Sequence, residues 1–170
     1  MQIHASNDFA ATTDRVLAML TDRVFLRANA LATDPLAHEV SVDGLVTRTR
    51  RVLTSPSVVA KLTGPTLAII DQVTWEASDG PQRNGSTLIE VEGLPAKLIG
   101  TVRLAPGGRG TVLDYDGELT VSVPIIGPSL AKQAAPLLLE ALELQQRVGD
   151  AFLAGATATQ PDLGRQGGQN

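Results

Sequence analysis

The sequence predicts an α+β domain: a curved antiparallel sheet of about seven strands wrapped around a long C-terminal helix, with two short helices after the first strand. Three observations predict it. Apolar residues follow helical spacing in two separate places, residues 14–31 and 127–152. Between them the period changes to two, in the runs 38–42, 45–53, 67–75, 86–91, 96–104 and 111–123. The separators of those runs include Asp43-Gly44, Asp79-Gly80-Pro81, Gly93-Leu94-Pro95 and Pro106-Gly107-Gly108, all residues that favour turns. Strands joined in this way form an antiparallel meander, and a single curved sheet needs a helix to cover its concave face.

Each element has its own justification. Residues 2–9 alternate and form a first strand that closes the meander at one edge. Thr12 or Thr13 caps the first helix, Asp14 suits its N-terminal dipole, and Val16, Leu17, Met19 and Leu20 give it an apolar face. Thr21-Asp22 punctuates, a second helix runs over 23–31, and Asp34-Pro35 ends it. Residues 54–65 are the one longer connection, with a helical turn expected over 57–62. The last helix carries Leu130, Leu137, Ala141, Leu144, Val148 and Phe152 on one stripe. Pro128 suits its first turn. Pro136 lacks an amide donor and collides with the Lys132 carbonyl, which predicts a kink between Lys132 and Pro136 or a true start near Ala135. One of Leu137, Leu138 and Leu139 must then point away from the sheet, and an exposed Leu139 would be a gate or a contact patch.

The chain has 170 residues and a formal net charge of −4, with 43% hydrophobic and 19% charged residues. That length suits one core, expected over residues 1–154, followed by a disordered tail over 155–170 that is rich in Ala, Thr, Gln and Gly. The acidic balance and the five aromatic residues (three Phe, one Tyr and one Trp) speak against a nucleic-acid surface. The absence of Cys removes disulfides and thiolate chemistry. His4 and His38 are far apart in sequence without nearby helical carboxylates, so no metal site is expected. No phosphate loop, nucleophile elbow or dinucleotide fingerprint occurs, and no cofactor is expected. No stretch reaches the roughly 20 apolar residues of a membrane helix, and no leader precedes the first strand, so a cytoplasmic protein without integral membrane contact is expected.

The segment Phe9-Ala10-Ala11-Thr12-Thr13-Asp14-Arg15-Val16-Leu17-Ala18-Met19-Leu20-Thr21-Asp22 resembles the strand-to-helix signature of the START-like superfamily, although Leu17 stands where an aromatic residue is common there. Three further segments resemble a narrower, mainly actinobacterial branch, domain of unknown function 2505. They are Asp43-Gly44-Leu45-Val46-Thr47-Arg48-Thr49-Arg50-Arg51, Val73-Thr74-Trp75, and the stretch from Gly117-Glu118 through Val121-Ser122-Val123-Pro124-Ile125-Ile126-Gly127. The resemblance covers roughly residues 1–154 and implies a helix-grip fold. It brings no catalytic residues to carry over.

Alternation assigns faces. Leu113, Tyr115, Gly117, Leu119, Val121 and Val123 face the helix, which leaves Asp114, Asp116 and Glu118 as a solvated strip opposite Lys97 and Arg103. Gly100 falls opposite Gly117 and reads as a bend or a point of close backbone approach, with bending sufficient to account for it. Asp71 shares a face with Leu67, Ile69, Val73 and Trp75, and Arg51 shares one with Thr47, Thr49 and Leu53. A buried carboxylate needs a partner or a proton. Arg51, Asp71 and Tyr115 are therefore expected at the polar end of an otherwise apolar pocket, or else as a structural ion pair beside a core tyrosine. Its aliphatic walls are expected from Ile69, Ile89, Leu98, Val102, Leu119, Leu137 and Ala141.

A sheet gripping one helix leaves an interior gap of the kind that takes small apolar ligands. The leading expectation is non-catalytic binding of a lipid, isoprenoid or polyketide-like molecule. Two alternatives stand beside it. A polyketide cyclase, aromatase or dehydratase would need an inward acid or base, for which Tyr115, Asp71 and His38 are the available inventory. A protein-interaction module would have its core filled.

Overall fold

The computed structural model describes residues 1–155. The expected tail lies outside the described residues from position 156 onward. The first strand, β1 (Gln2–Phe9), leads into α1 (Thr13–Leu20) and α2 (Arg23–Leu31). Thr12 accepts the Arg15 amide at 3.3 Å and caps α1. Asp22 is more than punctuation: its carboxylate accepts the Val24 amide at 2.7 Å and caps α2.

Six strands follow: β2 (Ala37–Asp43), β3 (Val46–Thr54), β4 (Thr66–Trp75), β5 (Arg83–Val91), β6 (Ala96–Gly107) and β7 (Gly110–Val121). A four-residue helix, α3 (Ala60–Thr63), sits in the connection between β3 and β4. Every neighbouring pair is antiparallel, and the spatial order is β1-β7-β6-β5-β4-β3-β2. The first strand closes the meander by pairing with the last, from Gln2 opposite Glu118 to Phe9 opposite Thr111.

The C-terminal helix, α4 (Gly127–Leu153), is 27 residues long and runs through Pro136. The expected start near Ala135 is corrected. Pro136 and Lys132 both lie on the exposed face, where a carbonyl that lacks the proline's missing amide is open to solvent. Packing on both sides of the proline holds the helix together. Before it, Ala131 and Ala135 cluster with Ile3, Leu98 and Leu119. After it, Gly149 sits against Phe9 and Met19, and the Phe152 ring meets Phe25 edge-on at 5.7 Å.

These contacts give the molecule two unlike ends. At one, Phe9, Val16, Met19, Phe25, Trp75, Val102, Leu104 and Leu113 form a dense core beneath α1 and the β6–β7 turn. At the other gather the β3–β4 connection, the β5–β6 turn and the loop into α4. Helix α4 packs on β1, β7 and α2 and has no comparable packing on β3, β4 or β5. A gap is left between them. Among the described residues, no helix is long and apolar enough to cross a membrane.

Candidate ligand-binding site

The gap is a cavity of about 570 Å³ between the concave face of the sheet and α4. Alternation along each strand builds its walls. Leu67, Ile69 and Val73 come from β4, Thr87, Ile89 and Val91 from β5, and Leu98 and Leu119 from β6 and β7. Leu130, Leu137, Leu138 and Ala141 on α4 and Leu26 and Ala30 on α2 supply the opposite wall. Among the exposed members of the lining, Thr54 and Val58 on one side and Gln133, Leu137, Glu140 and Arg147 on the other mark its rim.

Nine of the ten residues expected from sequence border this one cavity: Arg51, Ile69, Asp71, Ile89, Leu98, Tyr115, Leu119, Leu137 and Ala141. Val102 does not. It faces inward as alternation requires, but it is 1% exposed and packed into the dense core with Trp75, Leu104 and Leu113. Leu137 stands at the rim, 46% exposed, and Leu139 is exposed outside the lining. His38 is half-buried on β2 and does not border the cavity.

The polar end differs from the expected ion pair. Arg51 and Asp71 lie diagonally on adjacent strands, Arg51 opposite Ile69 and Asp71 opposite Thr49. The two do not bond. Arg51 Nε and Asp71 Oδ1 are both buried without a hydrogen-bond partner, as is Asn29 Oδ1 from α2. A native interior leaves few such groups, because each orphan forfeits its hydration for nothing in return. Burial holds the Asp71 carboxyl above its ordinary range, opposed by the Arg51 charge. Tyr115 is pushed up as well, first by burial and then by the nearby Asp71 carboxylate.

Tyr115 has a partner. Its hydroxyl donates to Gln145 Oε1 at 2.7 Å, and Asn7 Nδ2 donates to the same oxygen at 3.1 Å and to the Leu142 carbonyl at 3.0 Å. The Asp8 amide donates to Gln146 Oε1 at 2.9 Å, so β1 fastens α4 alongside the tyrosine. Sequence reasoning missed Gln145, Asn29, Thr47, Thr49 and Thr87 as lining residues. Gln145 follows Leu137 and Ala141 at a spacing of four, and the threonines alternate with the inward apolar residues, so their signal was present. Asn29 had none.

The outer face of the sheet is a solvated charged strip, with Arg103 among its partners as expected and Lys97 not. Asp114 pairs with Arg103 at 2.7 Å and accepts Ser6 Oγ at 2.9 Å, and Asp116 meets His4 at 3.3 Å. Lys97 lies between Thr120 and Glu90 and faces no carboxylate of β7.

Comparison with solved structures places the fold. A protein of Thermus thermophilus, TTHA0849, superposes with a TM-score of 0.63 at 20% identity, over 92% of this chain and 99% of that one. A STAR-related lipid transfer protein fragment from Xanthomonas axonopodis gives a TM-score of 0.58 at 15% identity, over 89% and 84%. A START superfamily protein from Mycobacterium smegmatis gives 0.55 at 16%, over 89% and 97%. The fold is therefore START-like, a helix grip of the α+β class. Comparison with curated proteins gives no match. The model of one sequence family covers residues 4–153, almost the whole described chain, and the protein belongs to that family, described as a protein of unknown function (DUF2505).

Proposed function

We propose that this protein binds a small, mainly apolar molecule without transforming it, holding the body of the ligand against the aliphatic walls and its polar end near Arg51, Asp71 and Tyr115. One observation carries the reading: an apolar cavity of about 570 Å³ that contains buried, unpartnered polar atoms on Arg51 and Asp71. The apolar lining supplies affinity at about 25 cal/mol for each Å² removed from water. The orphaned donor and acceptor supply orientation, since a ligand group that satisfies them recovers interactions the empty cavity forgoes. The lipid transfer protein among the structural neighbours supports an apolar ligand, which we take to be a lipid, isoprenoid or polyketide-like compound. A void of this size speaks against a module whose core is filled by its own side chains.

Native mass spectrometry of the full chain from its own cells, followed by denaturation and identification of released small molecules, tests the proposal. A stoichiometric apolar compound is the expected result. A clean apo mass, together with no saturable uptake of the uncharged fluorophore N-phenyl-1-naphthylamine, would overturn it. Ile69→Trp, which narrows the cavity beside its polar end, should weaken uptake while the thermal transition stays cooperative.

A further inference from the structure

We propose that the open end of the sheet docks on anionic lipid bilayers, with Ile125 as its apolar anchor. The inference begins with a count. Lys61, Lys97 and Lys132 are the only lysines of the chain, and all three fall at this end, in α3, at the start of β6 and in the second turn of α4. Among the described residues none of them forms an ion pair. The chain carries a net charge of −4, so the cationic end is not the by-product of a basic protein.

Acidic residues are sparse around the lysines. None occurs between Asp43 and Asp71, between Glu92 and Asp114, or between Glu118 and Glu140. Glu92, in the β5–β6 turn, is engaged by Arg50 through two bonds of 2.7 and 2.8 Å. Glu90 lies across from Lys97 on the outer face. Three of the four connections at this end, residues 55–65, 92–95 and 122–126, thus hold or adjoin Lys61, Lys97 and Lys132 and include one already neutralised carboxylate, while the fourth, residues 32–36 at the β2 edge of the sheet, carries Asp34.

The second observation is Ile125. It is 98% exposed and has φ 71°. Left-handed backbone is unfavourable for any residue with a Cβ and most of all for a β-branched one. The surrounding loop enforces it. The Gly127 amide bonds to the Val123 carbonyl at 2.8 Å, and Gly127 is seated so closely on the Val121 carbonyl that a side chain there would overlap it. The Ser122 amide bonds to the Pro95 carbonyl at 2.8 Å, which ties this loop to the β5–β6 turn. A pinned loop therefore holds a strained isoleucine wholly in solvent, with Ile126 exposed beside it and Val58 and Leu62 exposed in the β3–β4 connection at the same end. Strain kept in this way marks functional positions. An apolar tip on an end of the sheet that carries three lysines is complementary to a lipid surface that has an apolar interior beneath anionic headgroups.

Flotation of the full chain with vesicles tests this reading, which does not depend on the identity of the cavity ligand. Vesicles of equimolar phosphatidylcholine and phosphatidylglycerol should carry the protein, pure phosphatidylcholine should not, and added salt should release it. Each of Lys61→Gln, Lys97→Gln and Lys132→Gln should weaken binding by about fivefold, and the three together by about a hundredfold. Arg15→Gln, on α1 at the opposite end, should leave it unchanged. Ile125→Gly should lower vesicle binding by about tenfold while raising the thermal midpoint, because glycine accepts the left-handed backbone. That opposition separates docking from damage to the fold. Ile69→Trp should leave flotation intact, so failure of the cavity reading and failure of this one are distinguishable. No flotation with phosphatidylglycerol, or equal flotation of the triple variant, overturns the proposal, and equal flotation of Ile125→Gly removes the anchor.

Discussion

The close approach of β6 and β7 at Gly100 yields the sharpest quantitative expectation. Gly100 and Gly117 are directly opposed, but they are not equivalent. A Cβ on Gly100 would overlap the Asp116 carbonyl oxygen and come within 2.7 Å of Gly117 Cα, both backbone atoms. Ordinary contact begins at 3.4 Å, so β7 must retreat by about 0.7 Å or more. That movement carries Tyr115, adjacent to Asp116, away from Gln145 and stretches its 2.7 Å hydrogen bond past useful length. Overpacking of this kind costs about 1–3 kcal/mol, and the lost bond adds about 1 kcal/mol. Gly100→Ala should therefore destabilise by about 3 kcal/mol. A Cβ on Gly117 meets the Ile99 carbonyl and the end of the Leu98 side chain at 3.0 Å, and Gly117→Ala should cost about 1 kcal/mol. Urea titrations with unchanged slope measure both. In a Tyr115→Phe background the cost of Gly100→Ala should shrink by about 1 kcal/mol, since the bond it breaks is already gone. A Gly100→Ala protein within ~0.5 kcal/mol of the parent, or a Gly117→Ala protein less stable than Gly100→Ala, would refute the reasoning.

Other consequences are open to the same instruments. A carboxyl whose folded value is raised stabilises the fold only while protonated. For Asp71 that contribution is complete below its ordinary value of 3.8 and is lost as pH rises through the folded value. Asp71→Asn should thus raise stability near neutral pH and flatten the decline above about pH 4, as followed by denaturant titration across pH. Leu104→Ala, in a side chain with 0% exposure, should cost about 3–4 kcal/mol, whereas Ile69→Ala, which already borders the cavity, should cost about 1 kcal/mol. A reversal of that order in urea would contradict the division into dense core and open cavity. A Cβ on Gly149 would lie 2.5 Å from Phe9 Cε1, and Phe9 has no room to move, so Gly149→Ala should lower the thermal midpoint despite the better helix propensity of alanine.

Much of this architecture was legible because its periods are clean. The alternation of Leu113, Tyr115, Gly117 and Leu119 against Asp114, Asp116 and Glu118 assigns both faces of β7 and, through pairing, the strands beside it. Turn residues such as Asp43-Gly44 locate the hairpins. The alternative of a helix start near Ala135 failed because a local rule against interior proline does not register the packing that grips α4 on either side of it. Val102 misled because alternation reports which face a residue is on and not how far along the cavity it lies. Arg51 and Asp71 were rightly placed on inward faces, yet the distance between their charged atoms depends on rotamers and sheet curvature that no periodicity encodes. Asn29 reaches the cavity through the angle at which α2 crosses the sheet, a purely tertiary quantity.

The cavity also has a consequence for volume. Pressure favours whichever state occupies less space, and unfolding usually shrinks a protein by about 20–100 mL/mol as internal voids are filled by water. A chamber of about 570 Å³ lined mostly by aliphatic side chains is poorly hydrated in the native state and fully hydrated once the chain opens. The empty protein should accordingly sit at the large end of that range and yield to modest hydrostatic pressure. A bound apolar molecule would take up the missing volume, so the pressure midpoint becomes a measure of occupancy that needs no label and no knowledge of what the occupant is.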